Sequence, residues 1–320
     1  MRIYDIKNGV TMCIALMGGT GFIGQCLLRE YSDRRRFVAF TPKKDMGDLY
    51  QSETVEYVTI PGRTAEDAGG QNPYAETDAF NCCSAAVILG FARPEAGVVD
   101  TFERYLPSIA ATASFLEACR LAGITNIVLV SSRSVYGKHT PLPHREDEAA
   151  VPFSFYGAGK LAAEAVASAC SDLWGARVKT LRLAQVIGAN ERQGVVAASM
   201  RLAAAGRPLQ LWGNGDETAR EYLYVRDATS AIVCALDHPE VSGVFNIGTG
   251  QMTSTADLLE CIAGLRGNEG AVIERHPENP VEAVSFCMDV SRARDVLGWQ
   301  ASWTLQDALC AINDDVEGAY

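Results

Sequence analysis

The sequence predicts an α/β protein, a doubly wound parallel sheet followed by a smaller C-terminal α/β part. Two patterns predict it. Apolar runs of strand length alternate with segments of helical period through the first 180 or so residues, and a glycine-rich turn joins the first run to the first helix. Near-continuous apolar runs belong to strands buried on both faces, the condition of a parallel sheet covered by helices on each side.

The elements follow in order. MCIALM (12–17) reads as the first strand, and GGTGFIG leads from it into a helix from Phe22 to about Tyr31. FVAF (37–40), VEYVTI (55–60), AFNCCSAAVIL (79–89) and NIVLV (126–130) read as further strands. Between the last two, DTFERYLPSIAATASFLEACRLAG carries apolar residues at helical spacing, and VKTLRLAQVIG (178–188) reads as one more strand. Beyond it glycine and proline break the rhythm, without a repeat, a low-complexity tract or a linker. We therefore expect a first domain of residues 1–180, with a later return of the chain around 221–248, and a second domain formed mainly by 181–320. The second is expected to pack against the first with a cleft between them.

A chain of 320 residues, 48% of them hydrophobic, can bury a large core. The net charge of −11 and the lack of a basic stripe argue against nucleic acid or an anionic membrane as partner. The segment MRIYDIKNGVTMCIALMGG has no long uncharged core ending in a small-residue cleavage site, so neither a signal peptide nor a membrane span is expected. Ten cysteines, with no CxxC pair and no clustering with histidine, read as reduced, mostly buried thiols of a cytoplasmic protein with no metal.

Gly18, Gly21 and Gly24 form GxxGxxG after a strand and at the opening of a helix, where Phe22 and Ile23 begin the first turn. Such glycines permit a tight turn and close approach to a pyrophosphate resting on the helix N-terminus, so this is the expected dinucleotide site. An acid at the end of the second strand would accept from the ribose 2′-hydroxyl of NAD. AFTPKK offers Thr41, Lys43 and Lys44 instead, with no acid before Asp45. A hydroxyl and two ammonium groups suit a 2′-phosphate, so the cofactor reading is NADP or NAD, leaning to NADP.

SSRSVYG (131–137) follows NIVLV, and Tyr156 opens YGAGK. Tyr156 and Lys160, four apart, share one face of a helix. A tyrosine with a pKa near 10 is a poor base at neutral pH, and a nearby ammonium, a helix N-terminus and an oxidised nicotinamide would each favour phenolate. Ser132 is placed to hydrogen-bond a substrate hydroxyl or carbonyl and complete a proton path.

These pieces, with LRLAQVIGANE, LWGNGDETAREYLYVRDA, VFNIGTGQMTS and DVSRARDVLGW, occur in an order that resembles the extended short-chain dehydrogenase/reductases, specifically the NAD-dependent epimerase/dehydratase family of nucleotide-sugar enzymes. The resemblance implies a Rossmann doubly wound parallel sheet with a smaller C-terminal α/β substrate domain. It also implies a homodimer formed through helices around 101–121 and 156–174. It assigns Ser132, Tyr156 and Lys160 as catalytic, with Lys160 also reaching the cofactor, and Arg220 as a ligand of the substrate pyrophosphate. Arg133, Ser134 and Gln185 are the further substrate-contact candidates.

The chain departs from the family pattern at several points. Thr41 stands where an acid is usual, Pro61 where an aspartate follows the third strand, and Asn279 where a second pyrophosphate arginine is common, with Arg275 or His276 as replacements. LPSIAAT replaces a segment usually holding asparagines. Arg133 and Ser134 occupy the places where the 4,6-dehydratases carry an Asp-Glu pair. Arginine keeps its proton at working pH, so dehydration is disfavoured. Two roles for Arg133 stand open: contact with an anionic substrate group such as a carboxylate, or a structural salt bridge. The leading function is an NAD(P)-dependent epimerase of a nucleotide-activated sugar. The alternative is an NADPH-dependent reductase of a keto-sugar or related carbonyl, and a third, non-catalytic reading is a dinucleotide sensor.

Overall fold

The computed structural model describes residues 12–42, 47–60, 72–74, 77–95, 97–138, 141–213, 215, 218–268, 270–278 and 284–317. Lys43, Lys44, Pro61 and Asn279 lie outside the described residues. The elements run β1 (Cys13–Met17), α1 (Phe22–Tyr31), β2 (Arg36–Thr41), β3 (Val55–Thr59), β4 (Ala85–Ile88), α2 (Leu106–Leu121), β5 (Asn126–Ser132), α3 (Phe155–Trp174), β6 (Arg177–Leu183) and β7 (Gln185–Ile187). They continue with α4 (Val195–Ala204), β8 (Leu209–Trp212), β9 (Ala219–Arg220), β10 (Tyr222–Tyr224), α5 (Val225–Leu236), β11 (Gly243–Ile247), β12 (Thr253–Ser254), α6 (Thr255–Ala263), β13 (Ile273–His276), α7 (Ser291–Leu297) and α8 (Leu305–Glu317).

The chain divides into two compact units. The first comprises residues up to Gly137, Ala149–Arg182 and Thr229–Phe245; the second comprises Lys138–Glu148, Leu183–Ala228 and the residues from Asn246 onward. The first unit is organised by a seven-stranded sheet in the order β11-β6-β5-β4-β1-β2-β3. The pairs β1–β2, β1–β4, β2–β3 and β4–β5 are parallel. Strand order reverses between β1 and β4, which opens a crevice at their carboxyl ends, where such sheets bind their ligands. All five residues of β1 and all four of β4 are buried, as a sheet covered on both faces requires.

One side of this sheet is sealed by an aromatic cluster. Phe40 stacks on Phe80 with ring centroids 4.4 Å apart, and Tyr74 and Phe115 meet edge to face at 5.1 Å. Phe115 comes from α2, whose buried face also includes Ala111, Leu116 and Cys119. Burying such rings is worth roughly 1.5–3 kcal/mol each. Among the described residues the second unit holds three short strand pairs: β7 with β10 and β8 with β13 in parallel, and β9 with β12 antiparallel. Leu209, Leu211, Leu258, Leu259 and Leu309 are fully buried.

Three sequence expectations are corrected. The run 79–89 is not one strand, because Asp78–Cys82 forms a 3-10 turn and only Ala85–Ile88 joins the sheet. Thr77 caps that turn by accepting from the Ala79 N–H at 3.1 Å, and Phe80 is drawn into the aromatic cluster. The run 178–188 breaks at Ala184, with the next three residues pairing with β10. Nor are the ten cysteines mostly buried: four are, four are half-buried, and Cys82 and Cys310 are exposed. β1 and β4 are sheet neighbours, so Cys13 meets Cys82 and Cys83, 69 and 70 residues further along the chain.

Candidate active site

The glycine turn lies at the carboxyl end of β1. Gly18 has φ +91°, a conformation L side chains rarely adopt, and a Cβ there would stand 2.5 Å from the Gly90 nitrogen. At Gly24 a Cβ would meet the backbone of Gly18 and Gly19, which lets α1 close onto the turn that precedes it. Gly21 is the N-cap of α1, and no side chain caps the helix there. No acid occupies its first turn. The first N–H groups of α1, around Phe22 and Ile23, thus have no side-chain acceptor, and the helix N-terminus favours an anion. These residues fit a dinucleotide pyrophosphate. Thr41 ends β2, beside the end of β1, and is 1% exposed.

The hydroxyl segment and the tyrosine helix are joined by glycine. α3 begins at Phe155, capped by Ser154, whose hydroxyl accepts the Gly157 N–H at 3.1 Å. A side chain at Gly157 would run into the backbone carbonyl of Ser134, so the first turn of α3 can press directly on the 3-10 turn Arg133–Val135. Gly159 plays a like part: a Cβ there would stand 3.0 Å from Tyr105 and 3.2 Å from Phe91. The Ser132 hydroxyl donates to Ser134 Oγ at 3.2 Å and lies close enough to the Tyr156 phenol to lower its pKa. Ser132, Arg133, Ser134, Tyr156 and Lys160 are therefore gathered in one place in the first unit.

Burial pushes the Tyr156 phenol up from its ordinary range, while Arg93, the Ser132 hydroxyl and Arg133 pull it down. The charges acting on the phenol differ from the expected one. Lys160 Nζ instead donates to the Val130 carbonyl at 2.9 Å and lies 4.4 Å from the centre of the Phe91 ring. Burial depresses the Lys160 ammonium to about 7, against the pull of Glu164 one turn along α3. Glu164 is itself buried, paired with Arg182 at 2.7 Å and accepting from Ser131.

Sequence reasoning missed Phe91, Arg93 and Tyr105. Phe91 and Tyr105 flank the Tyr156 ring at centroid distances of 6.1 and 6.0 Å. The signal was positional: GFARP leaves the carboxyl end of β4, at the switch point, where ligand-contacting residues collect. The divergent LPSIAAT also finds a use, since buried Ser108 accepts the Ala92 N–H at 2.9 Å and ties the Phe91–Arg93 segment to α2.

Gln185 and Arg220 belong to the second unit. Gln185 opens β7 opposite Tyr222, and Arg220 pairs with Thr253 across the β9–β12 ladder; both are half-buried. No described helix is long and apolar enough to cross a membrane.

The sheet order, the glycine turn at its switch point and the likeness to known proteins define an enzyme of the extended short-chain dehydrogenase/reductase type. Within that class the chain belongs to the NAD-dependent epimerase/dehydratase family, whose model matches residues 14–248. A UDP-glucose 4-epimerase of Mycolicibacterium smegmatis is 35% identical over 207 residues, which are 63% of this chain and 66% of that protein. A dTDP-4-dehydro-6-deoxyglucose reductase of Escherichia coli is 25% identical over 95% of this chain and 96% of its own length. Among solved structures, the UDP-N-acetylglucosamine 4-epimerase of Bacillus cereus superposes with a TM-score of 0.81 at 28% identity, covering 96% of this chain and all of that one.

Proposed function

We propose that the protein is an NAD(P)-dependent epimerase of a nucleotide-activated sugar, with Tyr156 as the proton shuttle. The observation that carries this reading is the close packing of the first turn of α3, which holds Tyr156, on the Ser132–Ser134 segment, with Lys160 one turn on and Ser132, Arg93 and Arg133 acting on the phenol. Tyr156 takes a proton from the sugar hydroxyl at its phenol oxygen and later returns it. Ser132 holds the reacting oxygen, and Phe91 and Tyr105 shield the phenol from water. The glycine turn and the N-terminus of α1 would hold a nicotinamide dinucleotide, which would supply hydride acceptance and return. Arg93, Arg133 and the N-terminus of α3 lower the cost of the phenolate, and Lys160, which here donates to the Val130 carbonyl, would hold the ribose of a bound cofactor. Arg133 and Ser134, in the places of the dehydratase acids, leave no acid-base pair for removing water. Arg220 is assigned to the substrate diphosphate, as the family resemblance implies.

The reading is supported by the epimerases among the relatives. The E. coli reductase favours a second reading, in which the same residues act once on a keto-sugar and the oxidised cofactor leaves. Incubation with a panel of UDP- and dTDP-sugars, no reductant added, separates the two. Epimers form with no net change in nicotinamide absorbance if the first is right. NADPH consumed in proportion to keto-sugar, with no epimer from any saturated sugar, establishes the second.

The cofactor is proposed to be NADP(H) at least as readily as NAD(H), because no acid ends β2 and Lys43 and Lys44 follow Thr41. Calorimetric titration with both, repeated on K43A/K44A, tests this; a preference for NAD unchanged by the substitutions sinks it. The molecule is further proposed to be a homodimer through α2 and α3, on which Leu106, Leu121, Phe155 and Leu173 stand exposed.

A further inference from the structure

We propose that Cys13, Cys82 and Cys83 form a binding site for one thiophilic divalent cation of the zinc class, held by three thiolates with its fourth place open to solvent. The site lies at the amino ends of β1 and β4, whereas the glycine turn leaves the carboxyl end of β1 about five residues on, roughly 16 Å away at the rise of a strand. It is thus separate from the residues assigned to catalysis, and the proposal stands independently of that reading.

Geometry carries the argument. The three Sγ atoms are 3.4 Å (Cys13–Cys82), 3.6 Å (Cys13–Cys83) and 3.9 Å (Cys82–Cys83) apart. A tetrahedral ion with metal–sulfur bonds of about 2.3 Å needs its sulfurs about 3.8 Å apart, so shifts of a few tenths of an ångström would close the shell. A disulfide would need about 2.05 Å, and none of the three pairs is bonded. Cys13 stands on sheet backbone, and Cys82 and Cys83 close the 3-10 turn that leads into β4, which is tied to β1: the Ser84 N–H donates to the Cys13 carbonyl at 2.9 Å, and Ile14 is in register with Ala85. The sulfurs are therefore held by the fold before any ion arrives.

Access and charge also suit the ion. Cys13 and Cys83 are 6% and 1% exposed, while Cys82 is open to solvent and leaves a side for entry and for a water ligand. Arg36, in register with Cys13 on β2 and paired with Glu56 at 3.0 Å, stands beside the cluster. Three thiolates and a divalent cation leave one negative charge, with the Arg36–Glu56 pair beside it. A ligand set of sulfur alone selects soft cations over magnesium or calcium. Binding exchanges thiol protons for the cation, the protons pass to buffer, and no electron changes hands.

The test is a titration of the reduced, full-length protein with Co(II) as the spectroscopic substitute for Zn(II). The expected result is a sulfur-to-cobalt charge-transfer band that saturates at one equivalent and is displaced by Zn(II). Cys82→Ser, at an exposed position, is expected to fold, to keep its turnover and to bind at least 10-fold more weakly. Cys310→Ser, at an exposed cysteine on α8, is expected to bind like the parent protein. Cys13→Ser gives a second reading of the same ligand set. Absence of a band saturating at one equivalent, or a band indifferent to both Cys82→Ser and Cys13→Ser, overturns the proposal.

Discussion

Replacing Lys160 by methionine keeps the length of the side chain and removes its charge. Lys160 is 5% exposed, and burial takes its pKa from an ordinary 10.5 to about 7. Between those values the unfolded chain holds the proton and the folded chain does not. Stability therefore rises with pH across the window, and the penalty is complete below pH 7. At about 1.4 kcal/mol per pH unit, the full penalty is roughly 5 kcal/mol. Methionine escapes it but leaves the buried Val130 carbonyl without its donor, a loss of about 1–3 kcal/mol. In protein stripped of nucleotide, Lys160→Met is thus expected to be more stable by roughly 2–4 kcal/mol at pH 6. Above pH 10 it is expected to be less stable than the parent. Urea denaturation of both proteins from pH 6 to pH 10 measures this. Lys179, brought to about 8 by burial, and Cys13 titrate in the same window, but both proteins contain them and they cancel in the difference. A stability difference that does not change with pH would refute the placement of an uncharged lysine beneath the site.

The remaining expectations follow from the same packing. Tyr156→Phe keeps the ring between Phe91 and Tyr105 and removes the proton shuttle, so turnover should fall by roughly 10² to 10⁴-fold with nucleotide affinity nearly unchanged; steady-state rates beside calorimetric titration check it. Gly157→Ala forces the first turn of α3 away from the Ser134 carbonyl, and a displacement near 1 Å should lower turnover by about 10²-fold while melting temperature drops only modestly. Glu164→Gln leaves Arg182 buried without its counter-charge and is expected to cost about 3 kcal/mol in urea denaturation, whereas a change below about 1 kcal/mol would show the pair to be dispensable.

The sequence made local geometry legible and long-range neighbours much less so. The glycine turn could be read because Gly18, Gly21 and Gly24 act within one turn, where spacing and space are the same thing. Tyr156 and Lys160 could be placed on one face because helical period fixes it. The partners of Lys160 could not, since Val130 and Phe91 reach it through strand order and through the absence of a side chain at Gly159. The role of the glycines in YGAGK was hidden for the same reason. AFNCC looked like strand because its composition is apolar, yet Thr77 caps a 3-10 turn there and Phe80 is needed by the aromatic cluster. Cysteines counted along the chain appeared dispersed, and only the pairing of β1 with β4 brings three of them together.

The most direct measurement follows the hydride itself. A nucleotide sugar deuterated at the carbon that inverts is incubated with catalytic enzyme in ordinary water, and the product is read by NMR and mass spectrometry. Internal return predicts an epimer that keeps its deuterium at that carbon, at a rate that falls by at least 10²-fold in Tyr156→Phe. Deuterium lost to solvent or found in released cofactor, or an epimer formed equally fast by Tyr156→Phe, would contradict the account.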